Sequence, residues 1–202
     1  MFTSRFQEWV RALARRAVER LRLLGFTPNA LTLVGLAITV AGAVLVAVGD
    51  LLLGGVVLLV AGAFDIFDGA VARVTGQVRR YGAFLDSTVD RYAEGVTFIA
   101  LLYFFLFNDG QARHSTEAML VIAALLGSLL VSYIRARAQS LGFACEGGLL
   151  ARPERVLLIV AALVVPPLLV PILWILAVLT NVTAVQRIYF VWQQSRQTAP
   201  AD

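Results

Sequence analysis

Apolar runs close to twenty residues long recur from residue 31 to residue 192, and they leave a short menu of folds. A segment that crosses hydrocarbon must satisfy its own backbone hydrogen bonds, so only helices and closed barrels do it. These runs are continuous rather than alternating, and about 20 helical residues span a bilayer core. The spacing predicts spans over 31–48, 51–76, 82–107, 117–139, 153–166 and 172–192. Pro153 suits a first helical turn, and Pro166, Pro167 and Pro171 mark where the fifth span ends. A hydrophobic share of 59% agrees with this reading.

Residues 1–25 follow a different pattern. Phe6, Val10, Leu13, Ala17 and Leu21 fall on one helical face, with Arg5, Arg11, Arg15, Arg16, Glu19 and Arg22 largely opposite. That arrangement suits a helix lying in the membrane interface, and no cleavable leader is expected. Gly25 closes it, and Thr27-Pro28-Asn29 opens the first span. The expected fold is therefore all-α and integral to the membrane. An amphipathic interfacial helix (1–25) precedes a domain of six transmembrane helices (26–196), and 197–202 form a disordered tail.

All 17 basic side chains are arginine. They gather at the ends of apolar runs instead of forming a soluble basic face, so nucleic acid is not an expected partner; anionic membrane lipids are. With six spans, one side carries the N-terminal helix, Arg79, Arg80, Arg135, Arg137, Arg152, Arg155, Arg187 and Arg196, and the other essentially Arg113 alone. The asymmetry predicts a multi-pass plasma-membrane protein with both termini cytoplasmic. The single cysteine, Cys145, excludes an intramolecular disulfide. The lone histidine, His114, sits in a polar loop where no functional role is expected.

Four aspartates interrupt this apolar background: Asp65, Asp68, Asp86 and Asp90. An ionised carboxylate at a helix centre costs about 2.5–3.5 kcal/mol even on lenient insertion scales. At about 100° per residue, Asp65, Asp68, Gly69, Ala72 and Arg73 share an arc of about 140°. Gly82, Asp86 and Asp90 repeat every four residues on the next helix, with Glu94 one step further. A short connection joins the two helices, so they are expected to be antiparallel neighbours whose stripes converge near the cytoplasmic face. Carboxylates that close disfavour each other's ionisation, and hard divalent cations with all-oxygen ligands would offset them. Two-metal carboxylate sites recur in phosphoryl chemistry. Gly62, Gly69 and Gly76 recur every seven residues, as a close-approach seam would, and Arg73 could grip a pyrophosphate through its planar fork. An ion-coupled transporter site, or a network of aspartates paired with arginines, would use the same residue types.

The spacing Asp65-x-x-Asp68-Gly69-x-x-Ala72-Arg73, eight residues, Gly82-x-x-x-Asp86-x-x-x-Asp90 resembles the complete signature of the CDP-alcohol phosphotransferases. Pro28-Asn29-x-x-Thr32 is similar to that family's entry to its first span. The resemblance implies that an alcohol attacks the β-phosphorus of a CDP-linked lipid and releases CMP. It implies metal-ligand roles for Asp65, Asp68 and Asp86, with Asp90 completing the site and acting as general base. Two magnesium ions would be held there, with manganese as the alternative. Asp65, Asp68, Gly69, Arg73 and Gly82 would cradle the cytidine diphosphate, and Asn29 and Thr32 would lie at its edge.

For the acceptor, Ser132-Tyr133-Ile134-Arg135-Ala136-Arg137-Ala138, Glu146-Gly147-Gly148 and Arg152-Pro153-Glu154-Arg155 most resemble the phosphatidylinositol-phosphate synthases within that family. Arg135, Arg137, Arg152 and Arg155 are thus candidate ligands of the acceptor phosphate. Arg135 stands where a lysine is expected, which keeps the charge and changes the donor geometry. The resemblance implies CDP-diacylglycerol and inositol phosphate as substrates and a homodimeric assembly. Phosphatidylglycerol-phosphate synthesis is the alternative within the family.

Overall fold

The computed structural model describes residues 27–74, 80–108, 115–145, 147–148, 150 and 152–198, with backbone only at 28, 65–74, 108 and 197–198. The amphipathic helix expected over 1–25 lies outside the described residues. Helix α1 (Pro28–Ala47) starts where Thr27 accepts a hydrogen bond from the Ala30 amide at 3.2 Å, with Pro28 in the first turn. It stops at Gly49, whose φ of 95° a side chain would oppose. Asp50 then accepts from the Leu53 amide and opens α2 (Leu51–Val74). Next come α3 (Arg80–Tyr103), a π-helical turn (Phe104–Asn108), α4 (Ser115–Ser140), α5 (Arg152–Val164), a 3-10 turn (Pro166–Leu168) and α6 (Leu169–Thr198).

The helices follow the apolar runs, with two differences. The third run does not stay α-helical to its end but widens into the π turn at Phe104. The last helix starts at Leu169 and reaches Thr198, two residues into the segment expected to be a tail, because no breaker intervenes before Pro200.

Among the described residues, three helical stretches, Asn29–Ala47, Ser115–Ser140 and Pro166–Arg196, are long and apolar enough to cross a membrane, and Leu51–Phe64 is a shorter apolar helix. Their outward faces stay apolar: Leu33 and Val44 on α1, Leu52 on α2, and Trp174, Val178 and Val185 on α6 are all exposed. Surface of that extent belongs in contact with lipid or another apolar partner.

Helix α1 packs against both α2 and α3, α2 against α5, and α4 against α3 and α6. Phe98, Leu101, Val121, Leu163, Leu173 and Leu176 form the middle of the core. At Gly54, an added Cβ would lie 2.6 Å from Val46 Cγ2 and 3.0 Å from the Gly42 carbonyl, so α1 and α2 meet at a spacing that only glycine allows. At one arginine-rich end, Gly82 of α3 lies beside Asn29 of α1, Arg152 of α5 reaches Asp90 of α3, and Arg187 of α6 reaches the Val131 carbonyl of α4 and the Gly147 carbonyl of the α4–α5 connection.

Candidate active site

The four-residue stripe on α3 is the backbone of the site. Gly82, Asp86, Asp90 and Glu94 follow one another along a single face, passing from half-buried Gly82 and Asp86 to Asp90 and Glu94, which are 8% and 7% exposed. At its outer end, a Cβ on Gly82 would lie 3.4 Å from Asn29 Oδ1, so two of the expected nucleotide-binding positions are neighbours across α1 and α3. Thr32, one turn after Asn29, is buried at 8% exposure.

A cavity of about 70 Å³ opens between α1, α2, α3 and α5. Thr32, Asp90, Glu94 and Arg152 line its polar part, while Ala61 and Gly62 of α2 and Ile159 of α5 line its apolar part. The hydroxyls of Thr39 and Thr97 in the same wall donate to the Gly35 and Ala93 carbonyls of their own helices at 2.9 Å, so they bring no unmet polar demand.

Arginines balance both buried carboxylates. Arg152 Nη2 lies 2.7 Å from Asp90 Oδ1, and Arg91 Nη1 lies 3.2 Å from Asp90 Oδ2. One turn deeper, Arg155 donates from Nε to Glu94 Oε1 at 2.8 Å and from Nη2 to Glu94 Oε2 at 3.3 Å. Its Nη1 donates to the Leu150 carbonyl at 3.3 Å. Arg155, expected among the acceptor-phosphate ligands, is 1% exposed, and its guanidinium meets a carboxylate and a carbonyl in the bundle interior. Arg152 lines the cavity. Arg135 and Arg137 are exposed near the end of α4 and are not among the cavity-lining residues.

Asp65, Asp68, Gly69 and Arg73 belong to the last turns of α2, and their side chains lie outside the described residues. The seam glycine Gly62 faces Val156 of α5, where a Cβ would make an ordinary 3.5 Å contact; Gly76 is outside the description. Among the described residues no group of three or more His, Cys, Asp or Glu side chains gathers as a metal cage. The donor chemistry nevertheless suits a hard divalent cation, because Asp86 and Asp90 present carboxylates four residues apart on one face.

Three side chains at this end had no assigned role in the sequence reading. Glu94 pairs with Arg155, and its place in the four-residue repeat was the available signal. Arg187, 5% exposed, donates to the Val131 carbonyl at 2.6 Å and to the Gly147 carbonyl at 2.9 Å. Gln194 both donates to the Ala144 carbonyl (2.6 Å) and accepts from its amide (3.0 Å), pinning the α4–α5 connection to α6. Nothing in the sequence pattern announces either contact.

The family model for CDP-alcohol phosphatidyltransferase matches residues 26–195. The phosphatidylinositol phosphate synthase of Mycobacterium bovis is 39% identical over 140 residues, which make up 64% of this chain and 62% of that protein. The match therefore spans less than two thirds of the length of this curated relative. The crystal structure of the Mycobacterium tuberculosis phosphatidylinositol phosphate synthase with CDP-DAG bound superposes with a TM-score of 0.84 at 34% identity, covering 94% of this chain and 96% of that one. The same enzyme in complex with manganese and citrate gives 0.84 at 34% identity, covering 93% and 90%.

Proposed function

The chain belongs to the CDP-alcohol phosphatidyltransferase family, and on that footing we propose that it transfers a phosphatidyl group from CDP-diacylglycerol to a hydroxyl of inositol phosphate, releasing CMP. The observation that carries the reading is the last signature aspartate, Asp90, buried in the wall of a cavity with an arginine 2.7 Å away. A carboxylate and a guanidinium side by side support the reading, since attack by a phosphorylated alcohol requires a proton acceptor next to an anion-binding group. The acceptor oxygen bonds to the β-phosphorus, the bond from that phosphorus to the bridging oxygen of CMP breaks, and the hydroxyl proton passes to Asp90 Oδ.

Asp65, Asp68, Asp86 and Asp90 would hold two divalent ions, magnesium or manganese. Bound there, the ions supply stabilisation of the charge that builds on the transferring phosphate. Gly69, Arg73 and Gly82 cradle the diphosphate, and Asn29 and Thr32 stand at its nucleotide edge. The closeness of Gly82 and Asn29 supports that grouping, since a Cβ at Gly82 would touch the asparagine at 3.4 Å. Arg152 meets the acceptor phosphate inside the cavity. Arg135 and Arg137, exposed at the same end, draw an anionic acceptor towards it. The arginine asymmetry supports six spans, with both termini and the site facing the cytoplasm of the plasma membrane. A homodimer would cover part of the exposed apolar surface.

An acceptor panel tests the assignment. Purified protein given magnesium and CDP-diacylglycerol should release CMP faster with inositol 1-phosphate than with glycerol 3-phosphate, serine or water. Faster release with glycerol 3-phosphate would reassign the acceptor within the family.

A further inference from the structure

Two guanidinia meet Asp90, one at each carboxylate oxygen, and they are held very differently. Arg152 Nη2 reaches Oδ1 at 2.7 Å from the facing helix, with a side chain 26% exposed. Arg91 Nη1 lies 3.2 Å from Oδ2, and its side chain is 36% exposed. The same Nη1 donates to the Ser87 carbonyl at 2.8 Å, the shorter of these two contacts. Arg91 is not among the residues that line the cavity. Its pair with Asp90 is therefore long and partly solvated, the kind of contact that contributes little to stability.

An ionised carboxylate this buried is costly unless something balances it. A hard divalent cation held by Asp86 and Asp90 would balance it too, but it needs a carboxylate oxygen that a guanidinium now occupies, and the like charges repel. One arginine has to give way. Withdrawing Arg152 would break the shorter ion pair and take the carboxylate from a guanidinium that is only 26% exposed. Withdrawing Arg91 leaves its Nη1 on the Ser87 carbonyl and the rest of the group open to solvent, so its release costs little. The Oδ2 side of Asp90 is thus the side that can be exchanged.

We propose that Arg91 is a displaceable counter-ion: it balances Asp90 Oδ2 until a divalent cation takes that oxygen, and by competing for it sets the metal affinity of the site without serving as a ligand. The inference rests on the metal reading above and adds the residue that tunes it.

The test is manganese binding to the full-length protein in detergent, followed by loss of the free-ion EPR signal with no nucleotide or acceptor present. Arg91→Gln and Arg91→Met each remove the competing charge, and the manganese dissociation constant should fall about threefold, within what an exposed ion pair contributes. Loss of a merely structural contact would weaken binding instead. Arg91→Lys keeps a charge at the position and should stay within about twofold of wild type. In an Asp90→Asn background the contested charge is gone, and Arg91→Gln should change affinity by less than about 1.5-fold, because the two residues act through one contact. Unchanged or weaker manganese binding in both neutral variants would overturn the proposal. So would an equal gain with and without the Asp90 carboxylate, which would make Arg91 a general repulsive charge, and so would failure of both neutral variants to fold. Wild-type protein that binds no manganese, or binding untouched by Asp86→Asn, would count against the metal reading itself, which separates the two failures.

Discussion

A carboxylate that is 8% exposed persists inside an apolar bundle only when its charge is balanced, and at Asp90 two guanidinia do so. The two neighbours differ in kind. Arg91 is the adjacent residue in the chain, and its Nη1 is shared with the Ser87 carbonyl at 2.8 Å, whereas Arg152 arrives from another helix and faces the cavity. Replacing Asp90 by asparagine keeps the shape and removes the proton acceptor. CMP release should fall about 10²–10⁴-fold, while CDP-diacylglycerol still binds in an equilibrium assay. Full turnover in that variant would take the base role away from Asp90. Asp90 was legible in the sequence because a charge in hydrocarbon at fixed spacing from three others is conspicuous. The burial of Arg155 was not legible: arginines at span ends sit at the interface by default, and only the ion pair with Glu94 of α3 shows that this one turns inward.

At the scale of elements, helix ends were legible wherever local chemistry sets them. Thr27-Pro28 starts α1, and Gly49 and Asp50 separate α1 from α2. The π turn at Phe104–Asn108 was not, because an unbroken aromatic run carries no signal for which helical hydrogen-bond pattern it adopts. Helix pairing was likewise hidden. The α4–α6 seam depends on Gly127, where an added Cβ would collide with Thr180 Oγ1, and on Asn181, which donates to the Ala123 carbonyl across the seam at 3.0 Å. Gly127→Val should force the helices apart at a cost of ~1–3 kcal/mol, seen as a lower thermal midpoint in detergent. An unchanged midpoint would mean that this close approach contributes little to the bundle.

At the scale of the whole bundle, polarity among the described residues is concentrated at one end. The outward faces of α1, α2 and α6 are apolar, while the carboxylate stripe, its partner arginines and the captured α4–α5 connection lie together near the helix ends. On the proposed function, such a layout would let a lipid-borne donor reach the site from the bilayer while a water-soluble, phosphorylated acceptor and metal ions arrive from the aqueous side. Arginine asymmetry made that end readable from the sequence, and the convergence of α3 with α5 supplies the cavity that the sequence could not locate. On the proposed function, this cavity is where inositol phosphate is joined to a phosphatidyl group. Radiolabelled inositol 1-phosphate incubated with the protein, CDP-diacylglycerol and magnesium should enter the lipid extract with one CMP released per label transferred, a ratio of about one, as expected for direct displacement. Label that remains in the aqueous phase while CMP is released would contradict it.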